Sequence, residues 1–176
     1  MNFKRLQLRH LVVKIPDNKD LRLLDMLYKN SQTKYADIAD KLDLSVGSVH
    51  NRIKALKKER VIERFTIKVN PEALGYDLTA LISMQIDVRH FTEVNAQLQT
   101  IPSLLSIYNT TGDHDIIAIG RFKNREALNN TLQRILNIRH IRRTFTQLCL
   151  QVLKEEWHVP HLGGDEDLPA PDLPTD

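Results

Sequence analysis

Gly47, Asn51, Lys54 and Lys58 recur at four- and three-residue intervals, so on a helix they share one strip, flanked by Ser48, His50 and Arg52. Apart from Gly47 these are hydrogen-bonding or cationic groups. A carboxamide such as Asn51 pairs in two-pronged fashion with an adenine edge, and arginine or lysine meets phosphate or guanine. The same residues also suit an ordinary solvated helix face, so the surrounding elements and the charge must decide between the two.

Those elements follow from the apolar spacing. Val49, Ile53 and Leu56 fall opposite the polar strip and mark a buried side. Upstream, Tyr35, Ile38, Ala39 and Leu42 share the face of a preceding helix, and Asp43-Leu44-Ser45 separates the two. Leu44 fits the angle between them, Ser45 suits an N-cap, and Ala39 is small where helices cross. Residues Lys34–Lys58 thus predict a helix-turn-helix, whose second helix normally lies in the DNA major groove. Thr33 is expected to cap the first of these helices, with Lys34 beside it. Before them a further helix over Leu21–Lys29 is expected, opened by Asp20 and striped with Leu23, Leu24 and Leu27, and Asn30-Ser31-Gln32 makes a turn. After them Val61-Ile62 and Phe65–Val69 flank Glu63-Arg64, which predicts a small β-hairpin, a wing, with Arg64 and Lys68 toward backbone phosphate.

Charge favours a polyanion. Residues 1–70 hold 16 lysines and arginines against 8 acids, residues 71–160 hold 9 of each, and residues 161–176 hold 5 acids and no base. A basic first third beside a neutral body points to nucleic acid or another anionic surface. No run approaches the ~18 apolar residues of a membrane span, and residues 1–15 lack a signal-peptide apolar core, so a cytoplasmic protein without membrane contact is expected. The single cysteine, Cys149, excludes an internal disulfide framework and reads as a buried small hydrophobe.

The second half alternates. Strands are expected over Leu78–Val88, Leu104–Thr110, Asp115–Phe122 and Ile141–Leu153, with helices over Thr92–Ile101 and Asn124–Ile138. Strand, helix, strand, strand, helix, strand is the split βαβ order of the ferredoxin-like sandwich. Its sheet carries helices on one face only, and a second copy is the common cover for the other, so a homodimer is expected. The fold class is therefore α+β: a winged helix-turn-helix domain, then a ferredoxin-like βαββαβ sandwich. The expected divisions are a basic arm at 1–18, the helix-turn-helix domain at 19–70, a hinge at 71–77 around Pro71 and Gly75, the sandwich at 78–158, and an acidic disordered tail at 159–176. The arm reads equally as a phosphate or subunit contact and as a poorly ordered terminus; the tail reads chiefly as a solubilising segment.

Enzymatic chemistry finds little support. The seven histidines show no H-E-x-x-H or other metal spacing, and there is no phosphate-cradling glycine loop or nucleophile elbow. No cofactor, metal or catalytic residue is expected.

The IADKLDLSVGSVHNRIKALKKERVIERF segment, the NPEALG linker, the TGDHD turn and the βαββαβ order around it together resemble the Lrp/AsnC, or feast/famine, transcription regulators, over about residues 20–155. The resemblance implies an N-terminal DNA-reading domain, in which the residues expected toward double-stranded DNA are Thr33, Lys34, Ser45, Gly47, Ser48, His50, Asn51, Arg52, Lys54, Lys58 and Arg64. It also implies a C-terminal domain that dimerises, assembles further in many members (into octamers or other assemblies of dimers), and often binds an amino acid. In the family the turn Thr111-Gly112-Asp113-His114-Asp115 forms part of the effector pocket. Gly112 permits close backbone approach, Asp113 or Asp115 suits an ammonium, and His114 stands where an aromatic is usual. The plainer account is a turn fixed by its own aspartates. Three features depart from the family pattern: Arg60 stands where glycine usually precedes the wing, Asn30-Ser31-Gln32 replaces an acid-glycine-arginine turn, and the N-terminal arm and acidic tail lie outside the core pattern. Some tetrapyrrole decarboxylases of the siroheme type resemble the same architecture, and Arg139, His140, Arg142 and Arg143 would supply their basic cluster. The basic second helix favours DNA.

Overall fold

The computed structural model describes residues 16–156, so the acidic tail and all but residues 16–18 of the basic arm lie outside the described residues. Within them the chain forms two compact units, the first of residues up to Ile67 together with Glu156, the second of Lys68–Glu155. No described helix is long and apolar enough to cross a membrane.

The first unit is three helices, α1 (Asn18–Lys29), α2 (Tyr35–Leu42) and α3 (Val46–Lys58). α1 starts earlier than its apolar stripe suggests. Asp17, not Asp20, is the N-cap, and Asp20 sits at the third position and closes a reciprocal capping box. Thr33 caps nothing: its hydroxyl donates to the Asn30 carbonyl at 2.6 Å, and Lys34 occupies the N-cap of α2 without a side-chain bond. Asp43 ends α2 in the left-handed region, and the Leu44 amide returns to the Ala39 carbonyl at 2.9 Å. Ser45 caps α3 as expected, its hydroxyl oxygen accepting from the Ser48 amide at 3.1 Å. Leu23, Leu27, Ile38, Ala39, Leu42, Val49, Ile53 and Leu56 form one buried cluster, and Leu44, Val61 and Ile62 pack against it. Each large apolar side chain buried in this way contributes about 1.5–3 kcal/mol.

α3 ends in a Schellman motif. The Arg60 amide donates to Lys57 and the Val61 amide to Leu56, and Arg60 holds φ +59°. A glycine would adopt that backbone freely; arginine there costs on the order of 1–2 kcal/mol. The expected β-hairpin of the wing is corrected. Residues 63–70 carry no strand ladder, because Phe65–Val69 finds no partner strand within the described residues.

The second unit begins with a 3-10 turn, Glu72–Leu74, closed by Gly75. β1 (Leu78–Ile86), α4 (Phe91–Leu98), β2 (Leu104–Asn109), β3 (Ile116–Phe122), α5 (Arg125–Leu136) and β4 (Ile141–Leu148) follow. The sheet is antiparallel throughout, in the order β2-β3-β1-β4. β1 stops at Ile86 rather than Val88, because Asp87 caps a 3-10 turn over Val88–His90. β4 stops at Leu148 rather than Leu153. It runs antiparallel to β1, whose first residue is Leu78, and the last link joins the Cys149 amide to Thr79. Cys149 is half-buried rather than buried.

Ala80, Ile82, Met84, Ile86, Ile116, Ala118 and Phe122 meet Val94 and Leu98 of α4 and Leu128 and Ile135 of α5 in the core. Alternate residues go to the other face, where Tyr108, Ile117, Ser83 and Phe145 stand in register across the sheet. Tyr108 is exposed; Ile117 and Phe145 are half-buried.

Candidate nucleic-acid interface and effector turn

The two sides of α3 separate as their spacing requires. Val49, Ile53 and Leu56 are at most 3% exposed, while Gly47, His50, Asn51, Lys54 and Lys58 are exposed. Among the described residues the side chains of Asn51, Lys54 and Lys58 have no hydrogen-bond or ion-pair partner. His50 lies 6.4 Å from the Tyr35 ring, and the Ser48 hydroxyl is 2.9 Å from that of Ser45. A β-carbon on Gly47 would meet only the Ser45 hydroxyl, at 3.8 Å, so the unit's own packing does not require glycine there.

Arg52 has an internal role that its spacing did not reveal. Its Nη1 donates to Asp17 at 2.8 Å and to Asp20 at 2.7 Å, tying α3 to the start of α1. The hydrogen bonds to Asp17 and then Asp20 hold the guanidinium pKa above its ordinary value. Asp20 is nearly buried, so Arg52 also supplies its countercharge. Thr33 serves the α1–α2 turn, whereas Lys34 and Arg64 are exposed. Beside Arg64, the Phe65 ring lies under Lys57 Nζ at 4.6 Å.

In the second unit, the Thr110–Asp115 turn is tied largely to its own chain. The Thr110 amide donates to Asp115 O at 3.0 Å and its hydroxyl to His114 O at 2.6 Å. Asn109 Nδ2 donates to Asp115 O, and Gln85 Nε2 to Asp113 O. The Asp115 carboxylate accepts from the Ile86 amide at 2.8 Å. His114 meets the Phe145 ring edge-on at 4.8 Å. Thr111, Gly112 and Asp113 are left exposed, and Gly112 holds φ +108°, which residues with a β-carbon rarely adopt. Asp115 and His114 are thus used in the fold, while Asp113 faces outward.

The basic run after α5 does not converge. His140 stacks on His90, Arg142 lies 3.4 Å from Asp87, Arg143 lies over Phe145, and Arg139 is exposed. Successive strand residues alternate faces, so these side chains do not form one catalytic cluster.

Comparison with known proteins agrees with this anatomy. Residues 16–63 match the winged helix-turn-helix DNA-binding family model, and residues 79–158 match the Lrp/AsnC ligand-binding domain model. The chain is 36% identical over 146 residues to the HTH-type transcriptional regulator FL11 of Pyrococcus furiosus, covering 83% of this chain and 97% of that protein. The solved structure of Escherichia coli AsnC superposes with a TM-score of 0.77 at 28% identity, covering 81% of this chain and 97% of AsnC. A feast or famine regulatory protein from Mycobacterium tuberculosis, solved with L-methionine, superposes at 0.75 with 26% identity, covering 82% of this chain and 99% of that one. None of these relatives is a tetrapyrrole enzyme. With a DNA-binding helix-turn-helix unit followed by the characteristic ligand-binding domain, this chain belongs to the Lrp/AsnC family of transcription regulators rather than to the enzymes.

Proposed function

We propose that this regulator binds pseudo-palindromic sites as a homodimer, with α3 of each copy in a major groove. The observation that carries the reading is the strip of α3 whose Asn51, Lys54 and Lys58 side chains are exposed and unpaired among the described residues, backed by a buried apolar side. In this reading Asn51 reads a base edge and His50 borders it. Lys54, Lys58, Lys34 and Arg64 meet phosphates. Thr33, Ser45 and Ser48, at the helix starts, lie near the backbone, and Gly47 lets the two backbones approach closely. Arg52 acts by positioning α3.

Dimerisation would bury the helix-free face of the sheet around Tyr108, Ile117 and Phe145, and half-sites would lie one helical turn or a multiple apart. The functional divisions are a DNA-reading domain at 19–70, a hinge at 71–77 and a dimerising effector domain at 78–158. An amino acid is the effector class proposed, by analogy with the relative solved with L-methionine. The exposed amides about Gly112 would take its carboxylate and Asp113 its ammonium, with Thr111, His114 and Asp115 forming the frame. Such a protein would work in the cytoplasm beside the chromosome.

Genomic footprinting with and without added amino acids tests this. The expected result is protection of two symmetric half-sites, in a pattern that changes with an amino acid. Absent or asymmetric protection would refute the DNA reading. Symmetric protection indifferent to every amino acid would refute the effector reading alone.

A further inference from the structure

Three side chains from two distant parts of the sequence meet at the end of β1. His90 immediately precedes α4, Glu93 lies three residues on, and His140 sits in the turn between α5 and β4. The two imidazole rings stack with centroids 3.6 Å apart and planes within 1° of parallel. Glu93 Oε2 serves both, 3.7 Å from His90 Nδ1 and 3.8 Å from His140 Nε2. One ligand atom from each residue lies within 4.8 Å of the others.

The backbone holds this group in place. The His90 amide donates to the Asp87 carbonyl and the Asp87 amide to the His140 carbonyl, both at 2.9 Å. His140 has φ +72°, a left-handed conformation that costs a residue with a β-carbon on the order of 1–2 kcal/mol. Strain of this kind tends to persist where a side chain has a use. Two neighbouring cations, Arg89 and Arg142, are engaged by Asp87. The Asp87 carboxylate takes Arg89 at 2.7 Å and Arg142 at 3.4 Å, and the Arg89 hydrogen bond above all holds its pKa well below the ordinary carboxylate range. Arg139, next to His140 in sequence, is exposed.

Two neutral imidazoles and a carboxylate are the donor set for a borderline divalent transition metal. In a tetrahedral site with bonds of about 2.0–2.1 Å, donor atoms sit roughly 3.3 Å apart. An imidazole lone pair lies in its ring plane, so a shared ion requires the parallel stack to open, by rotation of Glu93 and His90, the more exposed members of the group. We propose that His90, Glu93 and His140 bind a divalent transition metal of the zinc class, with water completing the coordination. Such an ion would tie the start of α4 to the α5–β4 turn. It would also sit next to β1's last residue, Ile86, whose amide anchors Asp115 of the effector turn.

The test uses the full chain, stripped of metal by chelator and titrated calorimetrically with zinc chloride. The variants are Glu93→Gln, His140→Asn (asparagine tolerates the left-handed backbone) and a His158→Gln/His161→Gln control for the other histidines near acids. The expected result is saturable zinc binding by the wild-type chain. Each of the first two variants should weaken it by more than about tenfold, the lower end of what losing even an outer-sphere partner costs a metal site. The control should bind as wild type, and zinc should shift the imidazole nitrogen resonances of His90 and His140. Absence of zinc binding, unchanged affinity in Glu93→Gln, or a loss confined to the His158/His161 control would overturn the proposal. Should His140→Asn fail to fold, Glu93→Gln alone decides, because its side chain is half-exposed and removes only a charge.

Discussion

The exposed strip of α3 and the turn at Thr110–Asp115 draw on similar polar residues and use them in opposite ways. On α3 the helix satisfies its own backbone, so Asn51, Lys54 and Lys58 are left without partners among the described residues. In the turn the backbone carbonyls need side-chain help, and Thr110, Asn109 and Gln85 give it, while the Asp115 carboxylate ties the turn to the Ile86 amide of β1. Only Thr111, Gly112 and Asp113 remain outward. A surface with ready-made, unengaged donors suits a large and uniform polyanion. A tied turn with one free carboxylate and a glycine of positive φ suits a small ligand bound mainly through backbone.

That contrast breaks most visibly at the buried side of α3. Ile53→Ala should cost about 2–5 kcal/mol, a large part of a small unit's stability. DNA binding should be lost together with the helical signal in a denaturation curve, while the second unit's transition stays in place. The next effect is that of Arg52→Ala, which leaves the nearly buried Asp20 without its countercharge. We expect a loss of about 1–3 kcal/mol in the same curve, with DNA affinity recovering on cooling as the helices redock. Unchanged melting with abolished DNA binding would move Arg52 into the reading strip.

The turn gives a paired prediction. Asp115→Ala should destabilise the second unit by about 1–3 kcal/mol, because the Ile86 amide loses its acceptor. Asp113→Ala should stay within about 0.5 kcal/mol of wild type yet lose any thermal shift caused by an amino acid. Equal melting changes from the two would erase the distinction. The smallest effect is at Gly47. Gly47→Ala should raise stability by about 0.5–1 kcal/mol, since nothing inside the unit crowds a β-carbon, while weakening DNA binding. Undiminished binding would remove the close-approach role.

What could be read from the sequence follows from the range of the forces involved. The split of α3 into Val49, Ile53, Leu56 and the polar strip was legible because helical period is local, and so was the Ser45 cap. The βαββαβ order was legible for the same reason. The strands of the wing were not, because the Phe65–Val69 run has strand character but no partner among the described residues, and a ladder needs two strands. β4 was read too long because alternation continues past Leu148 while its partner strand ends. Arg52's attachment to Asp17 and Asp20, and the meeting of His90 and Glu93 with His140, depend on tertiary contacts between residues far apart in sequence. No spacing rule reaches those. Arg60 was the exception: its departure from glycine in the family pattern marked the one position at the end of α3 where φ turns positive.

The central claim is that α3's exposed strip divides into a base reader and phosphate contacts. It is tested by anisotropy titrations of a footprinted duplex across a range of salt concentrations, with wild type, Asn51→Ala and Lys58→Ala. Lys58→Ala should weaken every sequence alike and lower the slope of log affinity against log salt by about one. Asn51→Ala should keep the slope and lose discrimination of about 1–3 kcal/mol at a single base pair. Equal, sequence-independent losses from both variants, or no loss from either, would contradict it.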